Sequence, residues 1–211
     1  MIKNIIFDLG VVLLDVNYAA TIRAFSKLGL EKAEDAFSKH KQDEFFRKYE
    51  RGLMSSDQFL SGLAERMKFS DQVGLEEAWC KMLGELPIEK FELVKELNNS
   101  YRLFILSNTN EIHQNWFEKK IDEQYGWVNF ERCFDFIGYS HQINERKPDS
   151  EAFLKIVERF ELNLAQTLFV DDTFEHVQAA RKLGLSVIHY KEDMNLRTEI
   201  TNAIEANSTS S

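Results

Sequence analysis

Cysteine and proline are scarce in this chain: Cys80 and Cys133 are the only cysteines among 211 residues, and Pro87 and Pro148 the only prolines. Two lone cysteines so far apart neither build a disulfide framework nor take the spacing of zinc ligands. The compartment they imply is a reducing cytoplasm. Long apolar runs are missing as well, and no stretch reaches the ~20 residues a helix needs to cross a bilayer. The apolar N-terminus is interrupted at Asp8, with no small-residue cleavage site after it, which argues against a signal peptide. Positive charge is in deficit: 26 Lys and Arg against 35 Asp and Glu leave a formal charge of -9. That balance argues against nucleic-acid backbones and membrane surfaces as partners. A small anionic ligand stays compatible with it, because a metal ion or a few local donors override net charge.

What the chain does have is apolar mass. Hydrophobic residues make up 44%, and 17 phenylalanines imply an aromatic-rich core. The length suits one domain, or one domain with a modest insertion. Short apolar runs at 3–7, 101–107, 133–140, 167–172 and 186–190 read as strands. Helical spacing separates them, as in Phe153, Ile156, Val157 and Phe160, and in the stretch 174–184. Strands alternating with helices predict an α/β fold: a Rossmann-like open parallel sheet with helices on both faces. Between the first two strands, about Asn17 to Asn99, the text is helical throughout, with Ser55 as an N-cap and Pro87 opening a further helix. Such a block exceeds an ordinary crossover. It predicts a small inserted helical cap at 17–86, hinged near 15–18 and 86–88, on a core made of 1–16 and 87–206. The polar residues 207–211 are expected to be a disordered tail.

Ligands of open parallel sheets bind beyond the carboxyl ends of the strands. The conspicuous polar residues fall there. Asp8 closes the first strand, Ser107 and Asn108 the second, and Asp171 and Asp172 the fourth, while Lys147 follows the third and is pinned by Pro148. Alone, each has an ordinary reading as a turn, cap or surface residue. Together they are chemically coherent. Asp8 and Asp171 offer hard oxygen ligands suited to Mg2+. Ser107 and the Asn108 backbone amide can donate to phosphate oxygens, and Lys147 adds a fixed positive charge. Asp8 is then a candidate nucleophile through an aspartyl-phosphate.

The runs "IIFDLGVVL", "ILSN", "RKP" and "LFVDD", in that order, resemble the four motifs of the haloacid dehalogenase-like hydrolases, with the helical insertion resembling that family's cap. Within it, "FDLG", "ILSNTN" and "ERGLMSSDQF" look most like phosphatases of small sugar phosphates such as glucose 1-phosphate. The resemblance implies Asp8 as nucleophile and Mg2+ ligand, with the Gly10 carbonyl, Asp171 and Asp172 completing the metal set. It also implies Ser107, Asn108 and Lys147 as the phosphate holders. The expected activity is hydrolysis of a small phosphorylated metabolite by a monomer or weak homo-oligomer. Two positions depart from the family: His176 stands where asparagine is common, and Gly10 replaces the Asp that usually protonates the leaving group.

The glycine leaves three readings. One is a phosphatase whose leaving group needs little protonation, such as an anomeric hydroxyl, with Asp15 as the one substitute acid in the first loop, or else a helix cap. The others are a 2-haloacid dehalogenase and a non-catalytic binding protein. Secondary candidates are Asn110 and His113 beside the second motif, Trp116 and Trp127 as packing residues or pocket wall, and Tyr49, Glu50 or Arg51 of the cap as specificity residues. The remaining histidines, His40, His141 and His189, lack metal-ligand spacing.

Overall fold

The computed structural model describes residues 1–29, 44–69 and 71–209. Strands β1 (Asn4–Phe7), β2 (Arg102–Ser107), β3 (Phe136–Tyr139), β4 (Thr167–Asp171) and β5 (Ser186–His189) form one sheet in the order β3-β2-β1-β4-β5. Every neighbouring pair is parallel. From β1 the chain continues first to one side (β2, β3) and later to the other (β4, β5). The order therefore reverses at β1, and a crevice opens beyond its carboxyl end.

Strand pleating explains why these runs are apolar without interruption. Ile5, Phe7, Leu103, Ile105, Leu168 and Val170 belong to one core layer, and Ile6, Phe104, Leu106 and Phe169 to another. Helices α5 (Ile88–Leu97), α6 (Glu111–Tyr125) and α11 (Leu196–Thr209) supply Val94, Phe117 and Ile200 to the first. Helices α9 (Ser150–Arg159) and α10 (Phe174–Leu183) supply Ile156 and Ala180 to the second. With both faces covered, alternation gives way to continuous hydrophobic strands. Each fully buried side chain contributes about 1.5–3 kcal/mol. Two short helices, α7 (Trp127–Glu131) and α8 (Ser140–Ile143), flank β3. The strand expected at 133–140 is accordingly shorter, because Cys133 still belongs to the turn that ends α7, its amide donating to the Phe130 carbonyl at 3.0 Å.

Between β1 and α5 lie α1 (Tyr18–Lys27), α2 (Glu44–Glu50), α3 (Ser56–Met67) and α4 (Gln72–Cys80). They share a separate aromatic core around Phe59, which stacks on Tyr49 at 4.1 Å and meets Phe45, Phe46 and Trp79. Helix α3 starts with a reciprocal capping box between Ser55 and Gln58, as the Ser55 reading anticipated. The chain enters and leaves this lobe on two segments paired antiparallel: Asn17 donates to the Met82 carbonyl at 2.7 Å and Gly84 to that of Asp15 at 2.8 Å. Glycine is required at 84, where a Cβ would stand 2.9 Å from the Asp15 oxygen.

The tail expected to be disordered is helical as far as Thr209. Once Leu196 and Ile200 are packed on the core, each further turn costs little to add. Asn207 then closes the helix onto β5 by donating to Ser186 Oγ at 3.0 Å. Among the described residues, no helix is long and apolar enough to cross a membrane.

Candidate active site

Asp8 follows β1 and extends its ladder by one bond, its amide donating to the Val170 carbonyl at 2.8 Å. The chain then turns sharply. Val12 donates to the Gly10 carbonyl at 2.7 Å, and Val11 adopts φ +66°, a strained conformation for a β-branched residue. Lys90 of α5 holds this loop from behind by donating to the Val11 carbonyl at 3.0 Å. Backbone strain of this kind is common where a site fixes its groups.

Lys147 is the centre of charge. Its side chain is wholly buried, with Nζ 2.8 Å from Asp8 Oδ1 and 2.6 Å from Asp171 Oδ2. Asn108 anchors its backbone from both sides: Oδ1 accepts from Lys147 N, and Nδ2 donates to Lys147 O, each at 2.9 Å. The Asn108 side chain is thereby committed, which leaves its backbone amide for a ligand. Ser107, at the end of β2, lines the same cavity.

The neighbouring aspartates divide their roles. Asp171 is fully buried at the end of β4 and accepts from Lys147, from the Thr173 amide at 2.7 Å, and from His176 Nδ1, which is 3.1 Å from both of its oxygens. Asp172 lines the cavity beside Asp8 and Gly10. Carboxylate oxygens of Asp8, Asp171 and Asp172 come within 4.8 Å of one another. Three carboxylates around one ammonium leave excess negative charge, and their oxygens together with the Gly10 carbonyl are the donor set that a hard divalent cation takes. The residues present fit Mg2+.

Their acidities follow from the same geometry. Burial pushes Asp8 up to about 7, with Lys147 opposing and Asp171 adding to the shift. For Asp171 burial also acts upward, but Lys147 and His176 outweigh it and hold the carboxyl at about 2. Burial lowers His176, against its hydrogen bond to Asp171.

These groups open into a cavity of about 200 Å³. Its outer wall comes from the helical lobe and its margins: Tyr18, Phe46, Glu50, Trp79 and Met82, with Arg146 from the core. Arg146 Nη2 and Nε lie 2.9 Å from Glu50 Oε2, so the residue before Lys147 ties the lobe across the cavity. A larger cleft of about 800 Å³ lies elsewhere, lined by Asp15, Lys90 and Tyr190, and carries none of the phosphate-holding or nucleophilic candidates.

Several secondary expectations are corrected. Asp15 faces that other cleft, 3.6 Å from Lys90, so it is no substitute acid. It is not a helix cap either, since Asn17 caps α1 by accepting from Ala20 at 3.2 Å. Asn110 and His113 do line the cavity. Asn110 caps α6, however, and His113 is a buried packing residue, stacked on Trp79 at 4.7 Å and bonded to its carbonyl at 3.1 Å. Desolvation lowers His113 to about 4, which keeps it neutral. Trp116 and Trp127 pack against the core, and the tryptophan of the cavity wall is Trp79. Of the three cap candidates only Glu50 reaches the cavity: Tyr49 is buried with its hydroxyl on the Ile112 amide, and Arg51 pairs with Asp149 at 2.7 Å. His40 lies outside the described residues.

Comparison with known proteins gives the family and agrees with the fold. The family model for haloacid dehalogenase-like hydrolases matches residues 2–184. The chain belongs to that family. The D-ribitol-5-phosphate phosphatase of Bacteroides thetaiotaomicron is 30% identical over 208 residues, which is 95% of this chain and 98% of that protein. A variant of a family enzyme from the same organism, crystallised with magnesium and inorganic phosphate, superposes with TM-score 0.87 at 28% identity, covering 95% of this chain and 99% of its own. The L-2-haloacid dehalogenase of Xanthobacter autotrophicus is 17% identical at TM-score 0.60, over 89% of this chain and 76% of its own, and shares the fold alone.

Proposed function

We propose that this hydrolase is an Mg2+-dependent phosphatase of a small sugar or polyol phosphate, such as a hexose 1-phosphate, acting through a phosphate ester on Asp8. The observation that carries the reading is Lys147, wholly buried and bonded to both Asp8 and Asp171, behind a cavity of about 200 Å³ that Asp8 lines. The likeness to a ribitol-phosphate phosphatase supports it.

The cation would be held by Asp8, the Gly10 carbonyl and Asp172; Asp171, expected among the ligands, would instead serve Lys147, since its oxygens already accept from Lys147, Thr173 and His176. When bound it neutralises the carboxylate excess and polarises the phosphate oxygens. Lys147, Ser107 and the Asn108 amide orient the phosphate, so that an Asp8 oxygen attacks phosphorus as the bond to the leaving oxygen breaks. Water then cleaves the acyl phosphate, returning the carboxylate and releasing inorganic phosphate. Gly10 contributes no acid, and the departing oxygen therefore leaves best when it is intrinsically acidic, as an anomeric hydroxyl is. The lobe wall closes over a ligand no larger than a small metabolite, and Trp79 offers it an aromatic face.

The test is phosphate release from a panel of sugar and polyol phosphates, with Mg2+ and with EDTA. Metal-dependent turnover that Asp8→Asn abolishes is the expected result. Turnover that persists in Asp8→Asn overturns the aspartyl-phosphate route, and metal-independent halide release from a 2-haloacid would reverse the reading. The acidic cluster argues against that outcome, because it repels a carboxylate substrate.

A further inference from the structure

We propose that His176 is a positioning residue, its Nδ1–H fixing the Asp171 carboxylate and, through it, the Lys147 ammonium that holds the phosphate. The proposal rests on the phosphatase reading of the site and assigns the one motif residue that reading leaves without a task.

The geometry is a chain of contacts. His176 Nδ1 stands 3.1 Å from each oxygen of Asp171, and Asp171 Oδ2 stands 2.6 Å from Lys147 Nζ. Lys147 Nζ in turn stands 2.8 Å from Asp8 Oδ1. An ionised carboxylate only accepts, so the ring must donate, and its proton belongs on Nδ1. Equal distances to the two oxygens make the contact a bifurcated one, so a single ring donor engages both ends of the carboxylate. The other protein donor that fixes Asp171 is the Thr173 amide, which engages Oδ1 alone.

The stages of the reaction give this restraint its importance. Lys147 carries a flexible stem, and its head is held by two carboxylates. One of them, Asp8, is consumed when it becomes the phosphate ester. Asp171 is then the remaining anchor, and a carboxylate with broad freedom about its terminal torsion needs more than one donor to stay in place. An Asn side chain at 176 keeps an N–H donor for this duty. An Ala side chain keeps none.

The experiment compares the intact chain with its His176→Asn and His176→Ala variants by three readouts. These are calorimetric affinity for inorganic phosphate at saturating Mg2+, kcat and KM on the best substrate, and 15N NMR of the imidazole rings. The ring of His176 should report the Nδ1–H tautomer, and Asp171→Asn should shift it toward Nε2–H. His176→Ala should weaken phosphate binding and kcat by about 10- to 100-fold, the usual cost of removing an orienting partner, with His176→Asn within about threefold of the parent. Parent-like phosphate binding in His176→Ala overturns the proposal. So does an Asn variant as impaired as Ala, or an Nε2–H tautomer in the parent. The NMR arm is read without substrate. It therefore judges His176 even if the parent hydrolyses no phosphomonoester, a result that would overturn the functional reading alone.

Discussion

Asp8→Asn should destroy activity and at the same time make the metal-free protein more stable. In the folded state burial raises the Asp8 carboxyl from 3.8 to about 7. Between about pH 4 and about pH 7 the folded chain consequently binds more protons than the unfolded chain, and stability falls as pH rises through that window. The contribution is intact below the unfolded value and lost above the folded one. A shift of about three units at about 1.4 kcal/mol each sets a ceiling of about 4 kcal/mol. Asn resembles the protonated acid: it cannot ionise, yet its carbonyl still accepts from Lys147. Urea unfolding in EDTA, followed by circular dichroism, should therefore give coincident curves for parent and variant near pH 4. At pH 8 the variant should be the more stable by up to about 4 kcal/mol, and taking the difference cancels the titrating groups that do not interact with Asp8. Mg2+ at about a thousandfold its Kd should close that gap, since it stabilises the parent by about 4.1 kcal/mol. A variant equally or less stable at pH 8 in EDTA would refute the claim that Asp8 is held there at an electrostatic cost.

Gly10→Asp introduces the acid that the first motif lacks, and its Cβ meets only Val16 Cγ2, at 3.4 Å. Turnover of phosphates of ordinary alcohols should rise by about tenfold or more, given that a positioned acid contributes about 10²–10⁴; an unchanged kcat would mean that protonation does not limit the reaction. Asp15→Asn should leave kcat/KM within about twofold, because the side chain faces the other cleft and its ion pair with Lys90 is of the exposed kind that contributes little. A tenfold loss in steady-state assays would return Asp15 to the list of acids. Phe59→Ala removes the fully buried centre of the lobe's aromatic core and should cost about 3–5 kcal/mol in denaturant unfolding. A cost below about 1 kcal/mol would mean that the lobe core collapses around the gap.

The strands were legible because their signal is local: both faces of the sheet are covered, so each strand reads as a short apolar run ending in a polar residue. Position relative to a strand end was enough to bring Asp8, Ser107, Asn108, Lys147, Asp171 and Asp172 together. Less legible was the division of labour among them. Asp171 and Asp172 are adjacent at the end of a strand, where successive side chains point to opposite sides, yet both carboxylates converge with that of Asp8. Alternation therefore gave no signal of which one pairs with Lys147. The commitment of the Asn108 side chain to the Lys147 backbone joins residues on different loops and left no local trace. The same holds for the cavity wall, since Phe46, Glu50 and Trp79 reach the site only through the packing of the lobe on its own core.

The dipeptide Arg146-Lys147 shows what that packing accomplishes. Lys147 turns inward to Asp8 and Asp171. Arg146 turns to the lobe and holds Glu50, with both side chains mostly shielded from solvent at 17% and 12% exposure. Consecutive residues on one short loop thus reach the buried carboxylates and the helical wall of the cavity. Asn108 clamps the backbone of this loop at Lys147, so a displacement of the lobe that pulled on Arg146 would act against that clamp and against the buried ammonium beyond it. The position of the lobe and the placement of the buried charge are in this way mechanically joined, and the joint is an ordinary ion pair between Glu50 and Arg146.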